Sequence, residues 1–122
     1  MKLSLEPAEG RCVFTGYGDG YIAVNDVRHG YPVIVLADAV KVWEVTAFEA
    51  LAAGHLMNLL TFSPEIVLLG TGARLRFPAP ALTQPLTVAG VGIEVMDTRA
   101  ACRTFNVLSS EGRKVLAAVF VE

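Results

Sequence analysis

The segment GIEVMDTRAACRTFNVLSSEGRKVLAAVFV, residues 92–121, has the pattern of a strand, a helix and a second strand. The apolar runs near its two ends, GIEVM and KVLAAVFV, are typical of strands within a sheet. Between them, Asp97 or Thr98 can cap a helix over residues 98–110, and Gly112 can end it. Because strands that alternate with helices form sheets with parallel neighbours, the segment predicts an α/β fold.

The predicted helix has an unusual distribution of charge. Its helical spacing places Arg99, Cys102, Arg103 and Asn106 on one polar arc, opposite an apolar side made of Ala100, Ala101, Thr104, Phe105, Val107 and Leu108. The two arginines are four residues apart, and Arg99 lies at the positive end of the helix dipole, so a negative group is expected nearby. Either a local acid, namely Glu94, Asp97 or Glu111, or an external anion or acidic partner meets that expectation.

Cys102 allows two interpretations. Flanking arginines and a position in the first turns of a helix lower a thiol pKa, which favours a reactive thiolate. Alternatively, Cys102 is a small buried residue, since no histidine and no second cysteine lie near it in the sequence.

Further strands are predicted upstream. RCVFTGYGDGYIAV, residues 11–24, predicts two antiparallel strands joined by a turn at Gly18, Asp19 and Gly20, which would make the sheet mixed. YPVIVLAD, residues 31–38, reads as a strand covered on both faces, and KVWEV, residues 41–45, as a short half-exposed strand. EIVLLG, residues 65–70, predicts another buried strand.

Two segments between these strands are less regular. A capping box of Thr46 and Glu49 predicts a helix that ends before Ser63, with one apolar stripe of Phe48, Leu51, Ala52, His55, Leu56 and Leu59. GTGARLRFPAPALTQP, residues 70–85, contains three prolines and predicts a loop, with at most one helical turn near residues 81–83.

One edge of the predicted sheet is a candidate site. If IVLL and GIEVM are parallel neighbours, residues 70–72 and 97–99 emerge together at the carboxyl ends of the strands, where α/β proteins place ligands. The candidate binding surface comprises Gly70, Thr71, Gly72, Asp97, Thr98, Arg99, Cys102, Arg103 and Asn106. The alternative is that the two glycines only permit a tight exit from the strand.

Composition limits the classes of function. With 10 basic and 12 acidic residues the formal net charge is −2, and no basic run suits nucleic acid. No apolar run is long enough to span a membrane, and the start of the chain lacks the apolar stretch of a signal peptide, so we expect a cytoplasmic protein. Two cysteines and two histidines offer no metal-ligand spacing, and no complete cofactor motif is present, so no metal or cofactor is expected.

Three segments, VWEV, LLGTG and the stretch GIEVMDTRAACRTFNVLSSEGRKVLAAV, resemble a known family. It is the small-domain family that contains mitochondrial complex I (NADH dehydrogenase) assembly factor 3 and the adipogenesis-associated Mth938 domain-containing protein. The resemblance covers nearly the whole chain and is most specific in MDTRAACRTFNVL and the following EGR. It implies a single compact domain over residues 1–122, with a three-layer β/β/α Mth938-like fold around a mixed sheet.

The resemblance implies a role but no reaction. In the mitochondrial member the role is assembly of a respiratory complex through protein contacts, and no catalytic residues transfer to this chain. The leading hypothesis is therefore a non-enzymatic protein-binding, assembly-factor-like module whose partner is another protein or a second copy of itself. The alternative is a small-anion-binding or thiol-dependent site at the 70–72 loop, with Arg99, Cys102 and Arg103 as its working groups.

Overall fold

The computed structural model describes residues 10–121, and the start of the chain, used above to argue location, lies outside them. The described strands are β1 (Phe14–Gly18), β2 (Tyr21–Val24), β3 (Val27–His29), β4 (Val33–Val35), β5 (Val40–Val42), β6 (Ile66–Thr71), β7 (Gly92–Met96) and β8 (Val115–Phe120). The α-helices are α1 (Ala53–Met57), α2 (Pro80–Val88) and α3 (Thr98–Ser110).

Five strands form the central sheet, in the order β5, β4, β8, β6, β7. β6 is parallel to both β7 and β8, whereas β4 is antiparallel to β8 and β5. The strand predicted from YPVIVLAD, residues 31–38, is therefore β4, which lies inside the sheet between β5 and β8. The predicted mixed α/β fold is confirmed. The parallel pairs place the carboxyl ends of β6, β7 and β8 at one edge.

The early hairpin does not join this sheet, contrary to the prediction. β1 and β2 pair as expected around the turn at Asp19 and Gly20, but a third strand, β3, extends them into a separate three-stranded sheet. β2 and β3 are joined by Asn25 and Asp26, which both have positive φ angles of 48° and 68°. Two such residues make the tight turn that suits the twist of a hairpin.

The central sheet is buried on both faces, and β8 shows why. Val115, Ala117 and Val119 pack into one hydrophobic core with the three-stranded sheet and α3. The alternate residues Leu116, Ala118 and Phe120 pack into a second core with α1 and α2. Since successive side chains of a strand point to opposite faces, the apolar run of β8 is what a strand covered on both sides requires.

α3 lies on the first face. Asp97 caps it by accepting a hydrogen bond from the Ala100 N–H at 2.9 Å, as predicted, and Gly112 follows its end with a φ of 82°. Its buried residues are Thr98, Ala101, Cys102, Phe105, Asn106 and Ser109. Cys102 and Asn106 therefore belong to the packed face and not to a solvent-facing polar arc, so that part of the prediction is wrong.

Asn106 is buried because its amide substitutes for a strand partner. Its Oδ1 accepts from the Phe14 N–H, and its Nδ2 donates to the Phe14 carbonyl oxygen, both at 2.9 Å. Beside it, the rings of Phe105 and Phe14 meet edge to face, with centroids 5.3 Å apart. A buried backbone pair without partners costs free energy, so the amide stabilises the contact between α3 and β1.

The predicted continuous helix after Thr46 is wrong. The chain forms a 3₁₀ turn over Phe48–Ala50, passes through extended backbone at Leu51 and Ala52, and then forms α1 followed by a second 3₁₀ turn over Asn58–Phe62. The predicted capping by Thr46 is absent, since the turn begins after Ala47 without a side-chain cap. Instead, His55 Nδ1 accepts a hydrogen bond from the Ala52 N–H at 2.9 Å and so starts α1.

The predicted loop over residues 70–85 is only partly a loop. Pro80 occupies the first turn of α2, where its missing donor costs nothing, and Leu86 anchors the helix in the second core. Pro85 lies inside this helix. The helix forms despite that proline because it packs Leu86, which is completely buried, against the sheet.

Candidate functional site

The carboxyl ends of the parallel strands are tied together by one threonine. Thr98 Oγ1 accepts a hydrogen bond from the Gly72 N–H at 2.8 Å and donates to the Phe120 carbonyl oxygen at 2.5 Å. The Thr98 N–H donates in turn to the Gly72 carbonyl oxygen at 2.9 Å. The loop after β6, the start of α3 and the end of β8 are therefore held in one place.

Gly70 is part of the same contact. A Cβ at this position would meet Val119 Cγ1 at 2.8 Å and the Thr98 Cα at 3.1 Å. Because there is no room for a side chain between β6 and α3, glycine lets the two elements approach closely. The predicted convergence of residues 70–72 with residues 97–99 is thus observed, and Gly70 and Gly72 are buried within it.

Arg99 and Arg103 converge on the three-stranded sheet. Arg103 Nη1 donates to the Tyr17 hydroxyl at 2.8 Å, and the Arg99 guanidinium lies 5.2 Å from the centre of the Tyr17 ring. Arg99 Nη2 also lies 3.7 Å from Asp19 Oδ1, in the hairpin turn. The negative group expected near Arg99 is therefore Asp19, because the hairpin folds over the start of α3. Among the described residues, none of the predicted acids (Glu94, Asp97 and Glu111) forms an ion pair with Arg99.

Three of the backbone donors at the start of α3 are already engaged. The Thr98 N–H bonds to Gly72, the Ala100 N–H to the Asp97 carboxylate and the Ala101 N–H to the Asp97 carbonyl oxygen at 3.0 Å. An anion at this end of the helix would meet the Asp97 carboxylate instead of free donors. The arrangement does not favour the predicted anion site.

Cys102 is completely buried, which disfavours a reactive thiolate. Burial raises the pKa of its thiol to about 12, and this effect outweighs the lowering by Arg103. Of the two interpretations, the structure supports the small buried residue, because the side chain of Cys102 packs in the first core. Cys12 is also buried and free, and burial raises its pKa.

A shallow cavity of about 230 Å³ opens beside these contacts, between the hairpin turn and the start of α3. Its lining includes Asp19, Gly72, Ala73, Arg99 and Val121. A neighbouring recess of about 340 Å³ shares Ala73 and Val121 with it and extends to Phe48, Glu49, Arg74 and Arg76. The two depressions form a continuous concave strip along the carboxyl edge of the sheet.

The strip continues into an exposed apolar segment. Leu75 and Phe77 are 50% and 71% exposed. Phe77 lines a third recess of about 370 Å³, whose other lining residues include Phe48, Arg74, Arg76 and Leu82. We call Asp19, Ala73, Arg74, Leu75, Phe77 and Arg99 the carboxyl-edge surface. Sequence reasoning missed its second half, although alternating arginines and bulky apolar residues in RLRF, residues 74–77, were a usable signal.

The predicted site residues therefore divide into two groups. Gly70, Thr71, Gly72, Thr98, Cys102 and Asn106 are buried and build the edge, whereas Arg99 and Arg103 are exposed and Asp97 is half-buried at the cap. The exposed groups alone can contact a partner directly.

Solved structures share this fold. The crystal structure of a Bordetella parapertussis protein is 39% identical, covers 95% of this chain and 100% of that one, and superposes with a TM-score of 0.88. A Bordetella pertussis protein described as a Mth938-like domain is 34% identical over 99% of this chain and 92% of its own, with a TM-score of 0.83. The predicted three-layer Mth938-like fold is confirmed.

Two relatives carry names with functional content. NADH dehydrogenase [ubiquinone] 1 alpha subcomplex assembly factor 3 of Xenopus tropicalis is 33% identical over 97% of this chain, which spans 65% of that protein. A Francisella tularensis protein named 13 kDa major membrane protein is 28% identical, over 94% of this chain and 95% of its own length. None of the helices in the described part of this chain has the length and apolar character needed to cross a bilayer.

The family model described as "Protein of unknown function (DUF498/DUF598)" matches residues 14–120, which include both sheets and all three helices. That match agrees with the resemblance first noted in the segments around LLGTG and MDTRAACRTFNVL. The chain therefore belongs to this family of Mth938-like domains, whose relatives include complex I assembly factor 3.

Proposed function

We propose that this chain is a non-enzymatic protein-binding module of the assembly-factor kind, and that its carboxyl-edge surface is the docking site. The observation that carries the proposal is that exposed Arg74, Phe77 and Arg99 line adjoining recesses, with exposed Leu75 next to Arg74 in the chain. Exposed bulky apolar and arginine side chains are the residue types that anchor protein interfaces. The name of the Xenopus relative supports the same class of function.

The partner is another protein or a second copy of this chain. Both alternatives use the same surface, because the exposed apolar side chains must be withdrawn from water in either complex. A cytoplasmic location remains part of the proposal.

Co-isolation from native cells tests this function. The chain, two surface variants (Phe77→Ser and Arg99→Glu) and two control variants (Val107→Ser and Lys41→Glu) are recovered at equal expression, and the bound proteins are quantified. Val107 is 55% exposed on α3, and Lys41 is exposed on the far edge strand β5, so the controls change the same properties elsewhere. We expect one protein in stoichiometric amount with the chain and both controls, and its loss with the surface variants.

Sedimentation equilibrium of the purified chain covers the case of self-association. Dimers that the surface variants abolish would support the proposal in its second form. A monomeric chain that recovers no stoichiometric protein would contradict it, as would a partner that the surface variants retain in full.

A further inference from the structure

The segment after β6 has an unusual charge distribution. Between Glu65 and Glu94 the sequence contains no aspartate or glutamate, and its charged residues are Arg74 and Arg76. The segment therefore carries two positive charges in a molecule of net charge −2, and Glu49, from outside the segment, pairs with one of them, Arg76. Such a local excess of positive charge favours an acidic partner.

Arg76 is already engaged and shapes the recess. Its Nη1 donates to Glu49 Oε2 at 2.8 Å, its Nη2 donates to the Thr71 carbonyl oxygen at 2.9 Å, and its guanidinium lies 4.5 Å from the centre of the Phe48 ring. The side chain therefore braces the 72–79 loop against the 3₁₀ turn at Phe48–Ala50. The recess on either side of this arginine is built before any partner arrives.

Arg74 is held differently. Its carbonyl oxygen accepts from Thr71 Oγ1 at 2.7 Å, which fixes the backbone, while the residue itself is exposed. Within residues 10–121, no carboxylate forms an ion pair with Arg74, unlike Arg76, Arg99 and Arg113. Arg74 thus offers an exposed cation, on a fixed backbone, to an outside carboxylate.

Bulky apolar groups lie next to this cation. The Phe77 ring is 71% exposed and lines a recess with Leu82, Leu51 and Phe48. Beneath the recess, Phe48 and Trp43 both pack against Phe120, with ring centroids 5.8 Å and 5.1 Å from it. The Phe48 side of the recess is therefore backed by packed aromatic rings, which suits an inserted apolar side chain.

We propose that the recess flanked by Arg74 and Phe77 binds a polypeptide segment of the partner in which a carboxylate lies beside a bulky apolar side chain. The carboxylate pairs with Arg74, and the apolar side chain enters the recess against Phe77. This inference rests on the proposed function and names the chemistry of the partner at one part of the carboxyl-edge surface.

A polypeptide fits these features better than an anionic membrane does. Phe77 lines a concave recess, which accepts a single side chain, whereas binding to a bilayer needs apolar groups that insert into it from a broad apolar face. The Glu49 side chain at the recess pairs with Arg76, which leaves Arg74 as the cation for a single carboxylate, whereas recognition of an anionic bilayer uses a cluster of basic residues.

Peptide selection tests the inference. A phage library of random 12-residue peptides is selected on the full chain, and the enriched peptides are synthesised for affinity measurement. We expect sequences with aspartate or glutamate within two positions of an aromatic or aliphatic residue. We expect Arg74→Glu and Phe77→Ser each to weaken binding about tenfold or more. The matched changes Lys41→Glu and Val27→Ser should leave binding unchanged.

Enriched peptides without an acidic residue, or peptides that Arg74→Glu binds equally well, would overturn the inference. So would binding to phosphatidylglycerol vesicles that depends on Arg74 and Phe77, since that result identifies a lipid surface as the occupant. The inference can also fail while the proposed function holds: a native partner that is lost with Arg99→Glu but kept with Arg74→Glu would leave docking intact and remove this assignment alone.

Discussion

Cys102 shows how the packing of one residue decides its chemistry. Arg99 precedes it by three residues and Arg103 follows it directly. At the surface, a thiol in that position would have a lowered pKa. In the fold its side chain belongs to the first core, where loss of solvation raises the pKa to about 12. Burial is the larger effect because the arginines reach solvent and Tyr17, and do not contact the sulfur through a hydrogen bond that the structure describes.

The raised pKa predicts how stability depends on pH. The unfolded thiol ionises near its ordinary value of 9.0, whereas the folded thiol stays protonated up to about 12. The stabilisation from Cys102 is therefore fully present below about pH 9 and is lost as pH rises towards about 12. In a Cys12→Ala background, the free energy of urea unfolding should fall more between about pH 8 and about pH 10.5 than it does after Cys102→Ala. Equal declines would contradict the raised pKa.

At the scale of elements, the contact between β6 and α3 depends on a missing side chain. Gly70 lets the helix start lie against the strand end, and the Thr98 hydroxyl then reaches both Gly72 and Phe120. The first turn of α3, the end of β8 and the loop after β6 are thus one rigid unit. The carboxyl-edge surface is arranged on that unit.

Replacing Gly70 should disturb this unit. A Cβ at Gly70 would require the Thr98 backbone and Val119 to move, so Gly70→Ala should lower the free energy of unfolding by about 1–3 kcal/mol. Gly54→Ala is the matched control, because a Cβ there meets nothing within 4 Å and the site lies in α1. That variant should be neutral or stabilising by up to about 1 kcal/mol. Urea denaturation of both variants measures the difference, and a similar loss in both would refute the steric argument.

The sequence predicted elements best where local signals were strong. The Asp97 cap, the Gly112 end and the apolar runs of β6 and β8 specify α3 and its neighbouring strands without help from the rest of the chain. The region after Thr46 was mispredicted because its apolar residues reach the second core through alternating 3₁₀ and α turns. α2 was predicted only as one helical turn, because Leu86 stabilises a longer helix that Pro85 disfavours.

At the scale of the whole molecule, the central sheet joins the two cores. β8 sends alternate side chains into each core, and β6 does the same with Leu68 on one side and Val67 and Leu69 on the other. Because both strands contribute to both cores, unfolding of one core would expose one face of the strands that support the other. The domain should therefore unfold as one cooperative unit.

Two probes on opposite faces can test this cooperativity. Trp43, the single tryptophan, reports on the second core through its fluorescence, and Cys102 reports on the first core through trapping of its exposed thiol. In a Cys12→Ala background, both signals should show the same urea midpoint. Trapping of Cys102 at urea concentrations where Trp43 remains native would show that the cores separate.

The sequence predicted the location of the candidate site but not the contacts that its residues make. Topology brings residues 70–72 and 97–99 to one edge, and the sequence already indicated that arrangement. It could not reveal that Asn106 is used to pair the Phe14 backbone, since a helix pattern places an amide on the solvent side by default. Nor could it show that the separate hairpin supplies Asp19 and Tyr17 to the arginines, because that contact depends on how the two sheets stack.

The hydrogen bonds of the Thr98 hydroxyl also affect the thermodynamics of any encounter at this edge. The three backbone segments that they connect lose their conformational freedom during folding, long before a second molecule arrives. Association then carries little additional entropic penalty on this side, and a larger share of the interaction enthalpy remains as affinity. The backbone disorder that has to be removed on complex formation therefore belongs mainly to the incoming chain.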